Sequence, residues 1–204
     1  MHEIILEKLD EWTRNLSPKE GRIRIFEKIR DIPFLIIWTG SLESSLEKLL
    51  IQNQGHCLPK HLLLGIMYQK LNIPIKYAIY PFRWSEQDIE YPEELKEVVE
   101  NLPPDHHLAC KACIDDEWIL LDATWDPPLK RLGFPVNEKW NGMHDTVNAV
   151  KSSEETIFNS IREGIEHVGS RTYYSEEQYV LWCEFYDSLN RWLKDIRKRG
   201  SCQL

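Results

Sequence analysis

The sequence has no apolar run approaching the ~20 residues of a membrane-spanning helix; the longest, Phe34 through Trp38, is far too short. It has no basic excess. Lys and Arg total 25 against 33 Asp and Glu, a formal net charge of −8, so neither nucleic acid nor an anionic membrane surface is expected as a partner. Glycine is scarce, and Gly55, Gly133 and Gly142 stand apart from one another, which excludes a glycine-rich phosphate loop. Internal repeats, low-complexity tracts and evident linkers are missing, so one domain spanning 1–204 is expected. Met1-His2-Glu3-Ile4-Ile5-Leu6-Glu7 lacks a basic segment leading into an apolar one. With no secretory signal expected, five cysteines, an odd count, point to reduced thiols and a cytoplasmic location. Asp115-Asp116-Glu117 lacks the spacing of a calcium loop. Cys110 and Cys113 would point to opposite faces of a strand, and no second Cys or His pair completes a zinc site. No metal and no cofactor are expected.

What is present centres on Gln54-Gly55-His56-Cys57-Leu58-Pro59-Lys60-His61. From Leu58 to Leu71 the chain is apolar nearly all the way round a helical wheel, as in a buried helix. Pro59 is tolerated in a first turn, so the helix is predicted to begin at about Cys57. There a thiol meets the positive end of the helix dipole, and the backbone N–H groups can receive an oxyanion. Cys57 is therefore a candidate nucleophile, against the plainer reading of a small buried hydrophobe.

A nucleophile needs a base and a group to orient it. Strands are predicted over 106–114 and 117–124, joined through Asp115-Asp116, a pair suited to a left-handed two-residue turn. If Ile114 faces Glu117, then Ala109 faces Asp122, and His107 shares a sheet face with Asp122 as its diagonal neighbour. A three-residue loop would put His106 on that face instead. His61, four residues after Cys57 on the same helical face, is the other rival; it reads better as a core residue behind the nucleophile.

Gly55-x-Cys57 at a helix start, Leu71-Asn72-Ile73-Pro74 at its end, then His107, then Trp118-x-x-x-Asp122-Ala123-Thr124-Trp125 resembles the transglutaminase-like superfamily. That group is papain-like in its catalytic core and includes peptide N-glycanases and microbial thiol proteases. The family's histidine and aspartate are fifteen apart, as are His107 and Asp122 here. The resemblance covers about 41–126. Arg30-Asp31-Ile32-Pro33, Lys60-His61 and Gly133-Phe134-Pro135-Val136-Asn137 look like a microbial branch. Leu58 and Leu108-Ala109 depart from the family, which often has an aromatic after the cysteine and Ala-Trp after the histidine.

The resemblance implies an α+β fold with a transglutaminase-like (cysteine-proteinase-like) core: an antiparallel sheet packed on the helix that bears Cys57, with helical extensions over 1–40 and 150–200. It implies a catalytic Cys57, His107 and Asp122. Gln54 is a weak candidate for the oxyanion side chain, and Trp125 and His61 are candidates for the cleft. The expected activity is thiol-dependent hydrolysis of an amide or peptide bond in a peptide or protein substrate. Acyl transfer to an amine is the alternative, and a binding module that keeps the fold without turnover is a third reading, requiring a blocked cleft.

Helical periods occupy 5–16 and 18–30, the second capped by Ser17, and 42–51, capped by Ser41. A strand is predicted over 73–82. The acidic stretch 83–105, with a turn or two of helix near 92–99, reads either as a cleft wall or lid or as a solvated excursion. Residues 130–147 read as irregular, with Trp140, His144 and Asp145 in an exposed loop. Closing helices are predicted over 153–166 and 176–199. The aromatic stripe of the last leaves a homodimer through that helix open, and Arg197-Lys198-Arg199 reads as a helix end answering its dipole.

Overall fold

The structure, a computed structural model, describes residues 1–37, 39–171 and 174–201. Trp38 and Cys202 lie outside the described residues. Four helices come first: α1 (His2–Thr13), α2 (Pro18–Arg30), α3 (Leu42–Gln52) and α4 (Cys57–Lys70). Ser17 caps α2 through a capping box with Glu20, and Ser41 caps α3 by accepting from the Ser44 N–H, each satisfying first-turn donors the helix leaves open. Then follow β1 (Ile75–Phe82), α5 (Glu93–Asn101), β2 (Asp105–Ile114), β3 (Glu117–Leu121), β4 (Thr156–Phe158), α6 (Ile161–Arg171) and α7 (Glu176–Ser201). The sheet runs β3-β2-β1-β4, antiparallel throughout. The class is α+β, and among the described residues no helix is long and apolar enough to cross a membrane.

Asp115 and Asp116 both adopt positive φ, the geometry of a two-residue hairpin turn. Ile114 therefore pairs with Glu117 and Cys110 with Leu121. One sheet face meets α1–α4 through Ile75, Tyr77, Leu108, Cys110 and Leu121; the α4 side chains Leu63, Leu64, Met67 and Tyr68 are wholly buried there. Each such burial stabilises by about 1.5–3 kcal/mol. The other face carries Tyr80, Phe82, Ala109 and Leu120 against Trp125, Phe134 and the α7 residues Phe185, Leu189 and Leu193. The Phe185, Tyr186, Leu189 and Leu193 part of the α7 stripe thus packs within the chain, while Tyr179 is exposed.

Several expectations need correction. The predicted helix over 153–166 is the edge strand β4 followed by α6. Thr156-Ile157-Phe158 is a β-branched and aromatic triplet that pairs with β1 at Ile79, Ala78 and Tyr77, and three residues are too few to show a period in sequence. The stretch 83–105 is not a solvated excursion, because Trp84, Leu95, Val99 and Leu102 are buried in the second cluster. Trp140 is buried against Phe26, with ring centroids 5.1 Å apart. Arg197 does more than answer a dipole. Its guanidinium makes two bonds to the buried carboxylate of Asp126 (2.6 and 2.7 Å) and one to the Phe34 carbonyl (3.0 Å).

Gly133 fastens the loop after β3 to the segment before α5. It sits at φ +87°, and a Cβ there would lie 2.1 Å from the Asp88 carbonyl oxygen. Gly133→Ala should lower stability by about 2 kcal/mol or more, read as a lower urea midpoint. An unchanged midpoint would show that this approach is not a constraint.

Candidate active site

α4 begins at Cys57, with His56 in extended backbone and no side-chain cap on the first turn. First-turn N–H groups have no partner within their own helix, so this end can meet a developing negative charge. Cys57 is half-buried and lines a cavity of about 420 Å³ together with His107, Thr124 and Trp125.

His107 stands on β2 and is buried. Its Nε2–H donates to Asp122 Oδ2 at 2.7 Å, and its side chain is also hydrogen-bonded to that of Cys57. With Nε2 committed to the carboxylate, Nδ1 is the nitrogen left for the thiol. Asp122 lies one residue past the end of β3, where the chain leaves the ladder: its N–H donates to Thr146 Oγ1 at 2.8 Å. Its carboxylate accepts further N–H bonds from Ala149 (2.7 Å, Oδ2) and Thr124 (3.1 Å, Oδ1). Burial alone would lower the His107 pKa, but the Asp122 charge and bonds to Asp122 and Cys57 outweigh it and raise the pKa well above the ordinary imidazole value. Burial would raise Asp122; His107, with His61 and the Thr124 bond, instead holds it well below the usual carboxylate range. The geometry therefore describes a buried imidazolium–carboxylate pair beside a thiol.

His61 has a different task. Its Nδ1–H donates to the Cys57 carbonyl (2.9 Å), and its Nε2 accepts from the Ala123 N–H (3.1 Å). An accepting Nε2 requires the neutral Nδ1–H tautomer, and burial pushes the ring's pKa down to about 4. His61 is fully buried, joins α4 to the segment after β3, and does not line the cavity. Gln54 lines a separate surface pocket with Pro33, Leu35 and Asn190, away from the cavity. Trp125 does line the cavity, its Nε1–H donating to the Ala149 carbonyl (2.8 Å) and its ring against Phe34 at 4.4 Å. His106, the rival base in a three-residue loop, lines the cavity as well.

Two supporting residues went unread in the sequence. Tyr80 faces His107 across β1 and β2, their rings stacked at 24° with centroids 6.1 Å apart. Its hydroxyl donates to Glu155, which also pairs with Lys111 at 2.9 Å. An aromatic face favours a cation above it, so this stack suits an imidazolium. The pairing depends on the β1–β2 register, and the long connection between those strands hides it. Lys60, quoted in the sequence only as part of a motif, is wholly buried with Nζ donating to three carbonyls, those of Arg30, Ile32 and Thr124 (2.7–3.0 Å).

No known protein family and no curated protein matches the chain. A solved structure of a candidate cysteine protease from Cytophaga hutchinsonii is similar at 19% identity and TM-score 0.42, over 78% of this chain and 47% of its own. A candidate protease from Parabacteroides distasonis is similar at 18% identity and TM-score 0.39, over 60% of this chain and 23% of its own. The chain therefore spans less than half the length of either protein.

The pair has a pH signature. A raised His107 contributes stability below the ordinary imidazole value of about 6.5, lost as pH rises toward its folded value. A lowered Asp122 contributes above about 3.9, lost as pH falls. Asp122→Asn should cost about 1–3 kcal/mol, with the difference from wild type largest between about pH 4 and 6.5. Urea unfolding across pH checks this; a difference that does not vary with pH would contradict the ion pair.

Proposed function

We propose that Cys57, His107 and Asp122 form a catalytic triad that hydrolyses an amide or peptide bond through a thioester intermediate, on a transglutaminase-like core. The observation that carries the reading is His107 bridging a buried carboxylate and a half-buried thiol at an uncapped helix start.

The reaction would begin with the pair as thiolate and imidazolium. Cys57 Sγ attacks the carbonyl carbon, a C–S bond forms, and the oxyanion faces the first-turn N–H groups of α4. His107 passes its proton to the leaving nitrogen, the C–N bond breaks, and an acyl thioester remains on Cys57. Water then gives a proton to His107 and its oxygen attacks the thioester. The C–S bond breaks, the carboxylic product leaves, and Cys57 recovers the starting state. Asp122 keeps the imidazole in one tautomer and orientation throughout.

Hydrolysis is favoured over transfer to an amine because the carboxylate in the cavity lining, Asp105, is already engaged: Tyr186 O–H and Trp84 Nε1–H donate to Oδ2, and the His106 N–H to Oδ1. A binding module would need a blocked cleft, whereas Cys57 lines an open cavity.

Brief iodoacetamide labelling at neutral pH, read by peptide mass spectrometry, should modify Cys57 before Cys113 and Cys183, which are also half-buried, and long before the buried Cys110, whose thiol pKa burial raises. His107→Ala should slow Cys57 alkylation and abolish turnover of a fluorogenic peptide amide, and Asp122→Asn should lower kcat by about 10²–10⁴. Labelling of Cys113 or Cys183 ahead of Cys57 would refute the assignment.

A further inference from the structure

Resting on the thiol chemistry proposed above, we infer that the cavity beside Cys57 selects an uncharged substrate whose acyl part carries a large aliphatic or aromatic group. The cavity, at about 420 Å³, is within the range of sites that enclose a small-molecule-sized group. Part of its wall is built by α6 and α7, with Ile165 and Val168 from the first and Trp182 and Tyr186 from the second, and Tyr174 between them. Tyr174 is fixed by its O–H donating to the Pro104 carbonyl (3.1 Å) and by its ring against Trp182 (5.8 Å).

Charge decides what this wall accepts. Among the described residues the lining holds no Lys, Arg or Glu, and the imidazolium in it, His107, is already paired with Asp122, so an acidic substrate group would lose its water without gaining a free cation. Asp105, the carboxylate in the lining, is held by the three donors named above, so a basic group would have to displace them. Burial lowers the pKa of His56 and of His106, which keeps both neutral near pH 7.

Polar capacity is left at the other end, beside the thiol. His56 Nδ1 and Thr124 Oγ1 are buried side-chain atoms with no hydrogen-bond partner, and both residues line the cavity. A buried polar atom left unpaired destabilises the site until a partner arrives. The amide of a substrate seated at Cys57 could supply those partners once the two groups turn toward it. The cavity thus joins polar atoms that still need partners, beside the thiol, to apolar side chains contributed by α6 and α7.

Gly169 gives a clean test. It lies on α6 in the cavity lining, and a Cβ added there meets nothing within 4 Å, so Gly169→Phe adds bulk at the mouth without a backbone clash. Chloroacetamide, its N-naphthylmethyl derivative and its N-carboxymethyl derivative carry one electrophile and differ in what enters the cavity. The naphthylmethyl probe should alkylate Cys57 of the wild type about 10- to 100-fold faster than chloroacetamide, with saturation, and the carboxymethyl probe no faster than chloroacetamide. Gly169→Phe should erase most of that preference, read as the ratio of the naphthylmethyl rate to the chloroacetamide rate in the same variant, with circular dichroism showing that the variant folds. Equal rates for the three probes, or a preference that survives Gly169→Phe, would overturn this inference alone. Failure of chloroacetamide itself to modify Cys57 would overturn the thiol reading and this inference with it.

Discussion

The ammonium of Lys60 holds together the parts that make the site. Its three N–H groups meet three carbonyls: Arg30 at the end of α2, Ile32 just beyond it, and Thr124 just beyond β3. Burial pushes its pKa down to about 7, opposed by Asp126 and Asp122, and the carbonyl oxygens supply the partners that a buried cation requires. One turn of α4 thereby fixes two things. Cys57 lies three residues before this anchor, and Asp122 lies two residues before the carbonyl it grips. His61, the next residue, adds a second tie through the Ala123 N–H. The distance between Cys57 and the Asp122 carboxylate is thus set by α4 and by its ties to the segment after β3.

The segment after β3 is held from several sides. Asp122 is bonded by Thr146, Ala149 and His107, Trp125 by Ala149, and Asp126 by Arg197 and the Phe34 N–H. These partners come from widely separated parts of the chain, including the last helix. The terminal helices are therefore part of the frame: α7 clamps Asp126 through Arg197 and, with α6, walls the cavity. The carboxylates of Asp122 and Asp126 and the Trp125 N–H are each engaged by a named partner here, which is how a low-dielectric site stays rigid.

Much of the fold could be read from local chemistry. Ser17-Pro18 and Ser41 mark helix starts, and Asp115-Asp116 fixes the hairpin register that puts His107 and Asp122 on one face, because a one-residue slip would invert every side chain. Where the signal was non-local it failed. β4 is three residues long and exists by pairing with the edge of β1. The apolar side chains of 83–105 are diluted among acids and prolines, yet Trp84 and Leu95 find a core supplied by α7. Lys60 reads as an ordinary charged residue because its acceptors lie far away in sequence. Gln54 stood near Cys57 in the chain but faces another surface, since the extended residues before α4 turn their side chains in different directions.

The proposed chemistry puts the acyl group on Cys57. Intact-protein and peptide mass spectrometry after mixing with an N-acyl-phenylalanine p-nitrophenyl ester tests it directly. One acyl adduct is expected, located on Cys57, released by hydroxylamine and absent from Cys57→Ala. An adduct that persists in Cys57→Ala, or the absence of any adduct while ester is consumed, would contradict it.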